Sequence, residues 1–265
     1  MAGQSGRKGH IVIENVSKIF ARGDMNSTLV ALKNIDMEIM PCEFVSIVGA
    51  SGCGKSTLLR VIAGLETTTV GNAMCDGKTI TGTDPRRGLV FQENALFPWL
   101  SVRDNISFGL RATKKYELGK KLVDDLISMA GLSEFSNSYP HHLSGGMRQR
   151  AALARALAVS PDVLLLDEPL GALDSFTRMN LQDEMLNLWH ERGNTMILIT
   201  HDVDEAVYLS ERIYVMSPRP GMIVDEISLP MSYPRNRGAS DFMDIRNAIL
   251  RKLHFAREDS QEYNL

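Results

Sequence analysis

The chain has 265 residues, of which 44% are hydrophobic and 23% charged, with a net charge of −3 and a sequence pI of about 6.1. This length allows one large domain or two small ones. The lack of a basic excess argues against nucleic acid as a partner. The three cysteines form no C-x-x-C pair that would indicate a zinc site. No apolar run reaches the roughly 18 residues of a membrane span, and the polar start does not resemble a signal peptide, so we expect a cytosolic chain unless a partner holds it at a membrane.

The first part of the chain is predicted to contain strands, followed by a helix. Alternating apolar residues predict strands over Ile11–Val16 and Ala31–Ile39, and a short apolar run predicts a buried strand over Phe44–Val48. A glycine-rich loop then leads into a helix over Lys55–Ala63, and Leu89–Gln92 is a further candidate strand.

The middle of the chain is predicted to be helical, and strands return after it. The predicted helices of this middle stretch, about 94–160, are Val102–Leu110, Tyr116–Ala130 and Met147–Ala158. The later strands are Val163–Asp167, Met196–Thr200 and Ile213–Met216, with a helix over Phe176–Arg192 between the first two. Strands that alternate with helices favour an α/β fold with a mostly parallel sheet, and the helical stretch favours an inserted subdomain.

The end of the chain, 231–265, is predicted to be a short tail with an amphipathic helix. Phe242, Ile245, Ile249 and Leu253 recur at helical spacing and form one apolar stripe. A helix packed on the surface of its own domain, residues 1–230, is favoured over a regulatory or partner-binding helix.

One segment matches the phosphate-binding pattern G-x-x-x-x-G-K-[ST]. It is Gly49-Ala50-Ser51-Gly52-Cys53-Gly54-Lys55-Ser56-Thr57. Glycines let backbone N–H groups surround a triphosphate, and the following helix directs its positive end at it. Lys55 adds a charge for the outer phosphates, and Ser56 offers a hydroxyl to Mg²⁺. The alternative, a structural turn, is weakened by the buried strand before the loop and the helix after it.

Two carboxylates follow the apolar run Val163–Leu166. Ligands bind at the carboxyl ends of parallel strands, so Asp167 is a candidate for holding Mg²⁺ through a water molecule, since the ion keeps much of its hydration shell. Glu168 is a candidate general base for an attacking water. A strand that ends in a charged turn is the alternative, and the phosphate-binding loop argues against it.

Leu143-Ser144-Gly145-Gly146-Met147, before an alanine-rich helix and between the two motifs above, resembles the LSGGQ signature of the ABC transporter ATPases. A serine hydroxyl, glycine N–H groups and a helix N-terminus form an anion clamp, although Ser-Gly-Gly could also be only an N-cap turn. Met147 departs from the family's usual glutamine. The resemblance covers roughly Ile11 to Ile227 and implies the P-loop NTPase fold of these ATPases, with an N-terminal antiparallel β subdomain and an inserted helical subdomain.

The resemblance also assigns roles to single residues. Gln92 matches the Q-loop glutamine, which contacts Mg²⁺, and His201 matches the switch histidine near the γ-phosphate. Asp174, in Ala172-Leu173-Asp174, matches the D-loop. Phe20 matches the aromatic residue that stacks on adenine, with a core phenylalanine as the alternative.

The family implies hydrolysis of Mg-ATP by a transport-coupled ATPase of the translocase class. Two subunits, identical or closely related, meet head to tail, and Ser144, Gly145 and Gly146 of one act on the ATP of the other. The expected partners are permease subunits in the membrane and, through them, a solute-binding protein, with the ATPase peripheral on the cytoplasmic face of the cell membrane.

The chain resembles the importer group for nitrate, sulfonate, taurine or bicarbonate. That resemblance rests on the apolar run Leu96–Leu100, on Asp174–Arg178 and on Ser217-Pro218-Arg219-Pro220-Gly221. Leu96–Leu100 either lines the groove for a permease helix or belongs to the subdomain core. Alternatives to this function are an importer ATPase for another small molecule, a non-transport regulatory ABC ATPase, and a P-loop kinase or GTPase. The last lacks support because no N-K-x-D motif is present and neither class has LSGG.

Overall fold

The computed structural model describes residues 8–22, 27–92, 96–171 and 173–262, and at residues 22, 27 and 254–262 it describes the backbone alone. The described residues form two compact units. The described residues within Met1–Asp84 and Gly193–Leu265 form the first unit, and those within Pro85–Arg192 form the second. No helix in the described ranges is long and apolar enough to cross a membrane.

Strands and helices alternate along much of the chain. The strands are β1 (Ile11–Arg22), β2 (Ser27–Ile39), β3 (Phe44–Gly49), β4 (Val70–Cys75), β5 (Lys78–Thr79), β6 (Arg87–Val90), β7 (Val163–Asp167), β8 (Thr195–Thr200), β9 (Arg212–Met216) and β10 (Ile223–Ser228). The helices are α1 (Lys55–Ala63), α2 (Val102–Ala112), α3 (Tyr116–Met129), α4 (Gly145–Ala158), α5 (Ser175–Arg192), α6 (Val203–Leu209) and α7 (Ser240–Glu262), with 3₁₀ turns at Ser133–Phe135 and Pro140–His142.

The first unit contains two groups of strands. Strands β2, β1, β4 and β5 form an antiparallel sheet in that order. Strand β3 pairs in parallel with β8 on one side and with β9 on the other, and β10 joins β9 antiparallel. All residues of β3 and β8 are buried, as expected of parallel strands covered on both faces.

The second unit combines one parallel strand pair with helices. Strands β6 and β7 pair in parallel, and β7 is buried along its whole length. Helix α2 packs on both α3 and α4, and the chain between β6 and β7 contains no strand among its described residues. The α/β class, the mostly parallel core strands, the N-terminal antiparallel β subdomain and the inserted helices are therefore confirmed. The exact limits of 94–160 and of the tail remain predictions, and residue 94 lies outside the described residues.

Most predicted elements are present, with changes at their ends. Strand β1 continues to Arg22, beyond the predicted end at Val16. Register shifts between Val16 and Lys18 and between Lys18 and Ile19 interrupt the alternation of apolar residues, so the pattern does not reveal the second half of the strand. The strand predicted at Leu89–Gln92 lies at Arg87–Val90. The structure also forms β4, β5, α6 and β10, where the sequence predicts no element.

The helical tail packs within the first unit. Helix α7 contacts α6 and β9, and it buries Phe242 and Ile249 of the predicted apolar stripe. An ion pair of 2.8 Å joins Arg246 Nε to Asp204 Oδ1, and another joins Lys252 to Asp225. These contacts support a helix packed on its own domain.

Candidate functional site

The phosphate-binding loop joins the end of β3 to the start of α1 in the first unit. Gly54 stands at the N-cap of α1 with φ of 114°, and a Cβ atom there would lie 2.8 Å from the carbonyl oxygen of Ala31. Only glycine fits this backbone and this contact. The loop therefore places a run of backbone N–H groups directly before a helix N-terminus, which is an arrangement that binds phosphate.

The side chain of Lys55 is held inside this loop. It is 4% exposed, and its Nζ donates hydrogen bonds to the carbonyl oxygens of Gly49 at 2.8 Å and Ala50 at 3.0 Å. Cys53 is also buried, with its Sγ 3.9 Å from Lys55 Nζ. The buried ammonium is thus oriented by two carbonyl oxygens, and anionic oxygens of a phosphate would be stronger acceptors for it.

The other predicted members of the loop differ in their exposure. Ser51 and Gly52 are exposed and Ala50 is half-buried, while Ser56 and Thr57 are half-buried in the first turn of α1. The structure therefore brings together all of the predicted residues from Gly49 to Thr57.

His201 leaves the sheet at the same edge as the loop. Val48 of β3 lies opposite Thr200 of β8 in a parallel register, so Gly49 and His201 follow adjacent strand ends. The His201 side chain is exposed, and Asp202 next to it caps α6 by accepting a hydrogen bond from Glu205 N–H. The edge of the first unit thus carries both the phosphate-binding loop and an imidazole.

Phe20 lies on β1 and is half-buried, so it is not fully enclosed in the core. The Nζ of Lys18 lies 4.9 Å from the centre of its ring, and the same Nζ pairs with Glu66 at 2.9 Å and donates to the Thr67 carbonyl oxygen at 2.8 Å. The ammonium of Lys18 therefore makes a cation–π contact with the Phe20 ring. Stacking of adenine on Phe20 remains a prediction.

The second unit carries the acidic pair at the end of β7. Asp167 is 6% exposed, and Glu168 has a positive φ of 46°, which turns the chain at the strand end. Gln92 follows β6, which pairs with β7 in parallel, and its Nε2 donates a hydrogen bond of 3.2 Å to Glu168 Oε2. Three of the predicted site residues thus meet at one sheet edge, and Gln92 orients the carboxylate of Glu168.

The signature segment forms the start of α4 in the second unit. Ser144 is the exposed N-cap residue, and its Oγ accepts a hydrogen bond of 3.3 Å from Met147 N–H. Gly145 and Gly146 occupy the first turn and are half-buried. Ser144 therefore does cap the helix. Because Ser144 is exposed, the capped helix N-terminus is still accessible to an anion.

Asp174 caps the next helix, α5. It accepts a hydrogen bond of 3.0 Å from Thr177 N–H, and this bond lowers the pKa of the Asp174 carboxyl group below its ordinary value. Asp174 is exposed, and Ala172 of the predicted D-loop lies outside the described residues.

Arg219 contacts the phosphate-binding loop, although the sequence predicts no role for it there. Its guanidinium donates to the carbonyl oxygen of Gly52 from Nε at 3.1 Å and from Nη2 at 2.8 Å. The proline- and glycine-containing run Ser217–Gly221 indicates a tight turn, but no local pattern connects that turn to a loop so distant in the sequence.

Comparison with known proteins identifies similar sequences along most of the chain. The profile described as ABC transporter matches residues 32–171. The aliphatic sulfonates import ATP-binding protein SsuB of Bacillus cereus is 45% identical over 245 residues, which are 92% of this chain and 96% of that protein. The SsuB protein of Bacillus subtilis is 44% identical over 253 residues, with 96% and 97% covered.

Solved structures are similar as well. The dimeric structure of a post-hydrolysis state of the ATP-binding cassette MJ0796 bound to ADP and Pi has a TM-score of 0.74 at 35% identity, and the match covers 84% of this chain and 100% of that one. A second dimeric structure of MJ0796, described as a bacterial ABC transporter cassette, has a TM-score of 0.72 at 34% identity, with the same shares of 84% and 100% covered.

Proposed function

The chain belongs to the ABC transporter family, and we propose that it is the ATP-binding and ATP-hydrolysing subunit of an importer for a small anionic solute. It is an ABC ATPase. The observation that carries the catalytic proposal is the hydrogen bond of 3.2 Å between Gln92 and Glu168 at the carboxyl end of a buried strand. The importer proposal rests on relatives named as aliphatic sulfonate import proteins that match along nearly their whole length.

In the proposed reaction, water attacks the γ-phosphate in line and ADP leaves. Lys55 and the loop N–H groups offset the negative charge of the β- and γ-phosphates. Glu168 accepts the proton of the attacking water, and Gln92 orients its carboxylate for this step. His201 orients the γ-phosphate. Positioning and charge neutralisation supply most of the rate enhancement in such transfers.

We propose that Mg²⁺ is bound by Ser56, Gln92 and Asp167 together with the phosphates. These side chains offer hydroxyl, amide and carboxylate oxygens, which are the donor type that Mg²⁺ prefers. Within the described residues, no group of three or more His, Cys, Asp or Glu side chains is placed to hold a metal ion. When bound, the ion neutralises phosphate charge.

We propose that the active form contains two ATPase subunits, identical or closely related. The similar ATP-binding cassette MJ0796 was solved as a dimer with ADP and Pi. Ser144 is the exposed N-cap of α4, and Gly145 and Gly146 lie in its first turn. A helix start of this kind suits an anion, and in the proposed dimer it completes the site around the partner's ATP. Asp174 matches the D-loop of the family, and we propose that it is one of the ATP-binding residues.

We propose that permease subunits hold this ATPase on the cytoplasmic face of the cell membrane and that a solute-binding protein delivers the solute to them. A sulfonate is the solute class that the relatives' names favour. An importer of a different small molecule, or a regulatory ABC ATPase without transport, is the alternative.

Uptake of a labelled aliphatic sulfonate in the host organism tests this function. Deleting the gene should abolish uptake, the wild-type gene should restore it, and the Glu168→Gln variant, expressed at the same level, should not. Uptake of an unrelated solute serves as the control. Unchanged sulfonate uptake after deletion would refute the solute class. Failure of a tagged chain to co-purify any multi-spanning membrane protein would favour the regulatory alternative.

A further inference from the structure

The turn between β9 and β10, residues 217–222, is closed by its own hydrogen bonds. Ser217 N–H donates to the carbonyl oxygen of Met222 at 2.9 Å, and Met222 N–H donates to Ser217 Oγ at 3.0 Å. The Ser217 hydroxyl also lies 3.0 Å from the carbonyl oxygens of Pro218 and Pro220. The prolines restrict the backbone further, so the turn is a rigid support for the side chain of Arg219.

This turn packs directly on the phosphate-binding loop. Besides the two hydrogen bonds from Arg219 to Gly52, Gly221 approaches the loop so closely that a Cβ atom there would lie 2.3 Å from the carbonyl oxygen of Cys53. Two consecutive loop carbonyl groups, those of Gly52 and Cys53, therefore face the turn.

The same turn is fixed to the N-terminal sheet. Gly221 N–H donates to the Ala31 carbonyl oxygen at 3.0 Å, and Lys33 N–H donates to the Gly221 carbonyl oxygen at 2.9 Å. Ala31 and Lys33 belong to β2, which pairs with β1 so that Leu29 lies opposite Phe20. The turn thus ties the phosphate-binding loop to the strand pair that carries the predicted adenine-stacking ring.

We propose that Arg219 is a positioning residue for nucleotide binding, which rests on the proposed function of this loop. The C=O and N–H of one peptide point in opposite directions, so holding the Gly52 carbonyl towards Arg219 directs the Cys53 N–H into the loop. That N–H donates to the Ala50 carbonyl oxygen at 3.3 Å, a long bond that it can exchange for a phosphate oxygen. Arg219 pre-organises the loop and so lowers the cost of ordering it around phosphate.

Three variants test this proposal. Arg219→Met keeps the length of the side chain and removes its donors, Arg219→Lys keeps one charged donor, and Arg251→Met changes an exposed arginine on α7 as the control. The dissociation constants for ADP and ATP are measured by titration of fluorescent nucleotides, together with KM, kcat and the thermal unfolding midpoint without nucleotide.

We expect Arg219→Met to raise both dissociation constants and KM by about tenfold, the effect of losing a hydrogen bond from a charged donor. The kcat value should fall by less than about twofold, since Arg219 does not contact the reacting atoms. Arg219→Lys should recover part of the affinity, and Arg251→Met should match the wild type. Because Arg219 is exposed, the unfolding midpoint should stay within about 2 °C of the wild type.

Equal nucleotide affinity in Arg219→Met and wild type would overturn the proposal. Equal losses of affinity in the Met and Lys variants, accompanied by a lower unfolding midpoint, would show a structural role and overturn it as well. A wild-type chain that binds no nucleotide would instead refute the proposed function, so the two failures are distinguishable.

Discussion

Glu168 is positioned by its own backbone and by the neighbouring side chain of Gln92. Its positive φ turns the chain directly after β7, and Gln92 donates a hydrogen bond to its carboxylate. A carboxylate oriented in this way can accept a proton from water without first reorganising, which is the requirement for a general base. The amide of a glutamine has nearly the same shape but is not basic.

The Glu168→Gln variant should therefore bind ATP with a dissociation constant within about threefold of the wild type and hydrolyse it at least about 100-fold more slowly. Single-turnover hydrolysis with excess enzyme separates these two quantities. Gln92→Ala removes the orienting donor and one proposed Mg²⁺ ligand but leaves the base in place, so it should lower the rate by less than Glu168→Gln does. Near-normal turnover in Glu168→Gln would refute the assignment of the base.

Phe20 offers a second test at this scale, because its ring contacts Lys18 and is only half-buried. Phe20→Ala should weaken ATP binding by roughly tenfold, since stacking of a base on an aromatic ring contributes about 1–3 kcal/mol. Phe20→Tyr keeps the ring and should retain the affinity. Binding of inorganic tripolyphosphate, which has no base, should be the same in all three proteins, and an equal loss for both ligands in Phe20→Ala would contradict the stacking role.

Single residues differ in how far the sequence predicts them. The spacing from Gly49 to Thr57 dictates a loop and a helix start, so it identifies Lys55 without any tertiary information. Arg219 contacts a loop carbonyl 167 residues away, and no local pattern reports such a contact. Long-range side-chain contacts of this kind become visible only in the folded chain.

Elements with a strong periodic pattern are predicted well, and short or weakly patterned ones are not. Strand β7 begins at Val163, the first residue of the apolar run, and ends at Asp167, the first carboxylate after that run. Strand β4 turns only Ala73 and Cys75 fully inward, so it lacks a strong alternation of large apolar residues. Helix α6 has seven residues, fewer than the roughly 11–18 over which helical periodicity is recognised. Strand β10 does alternate through Ile223 and Ile227, a signal that could have identified it.

A buried arginine helps to attach the segment between β10 and α7 to α6. Arg235 is 6% exposed, and its Nη1 donates to the carbonyl oxygens of Val207 and Ser210, both at 2.5 Å. Its guanidinium also lies 4.3 Å from the centre of the Tyr233 ring. Removing the donors would leave two carbonyl oxygens without these partners.

Arg235→Met should therefore lower the free energy of unfolding by about 2–4 kcal/mol, measured by urea denaturation. Nucleotide affinity of the folded variant should remain close to that of the wild type, because Arg235 is bonded to α6 and not to the phosphate-binding loop. Arg251→Met is the matched control and should change stability by less than about 0.5 kcal/mol. Equal stability of Arg235→Met and Arg251→Met would show that these hydrogen bonds contribute nothing.

Across the whole molecule, each unit carries a different set of groups. The first holds the phosphate-binding loop, Phe20, His201 and Arg219, while the second holds the acidic pair, Gln92 and the signature helix. The proposed cycle needs both sets and, in addition, a second copy of an ATPase chain. The central claim is that Ser144 acts on the ATP of that second copy.

Mixing two inactive chains tests this claim most directly, with Glu168→Gln in both to prevent hydrolysis. One chain carries Lys55→Ala and so lacks the ammonium group that is proposed to bind the phosphates. The other carries Ser144→Asp, which caps α4 as well as serine does but repels a triphosphate. Light scattering detects the dimers. The ATP that stays bound is measured after free nucleotide has been removed rapidly. Each chain alone should stay monomeric without retained ATP, and the mixture should form dimers that retain one ATP. A mixture that behaves like its separate components would contradict the account.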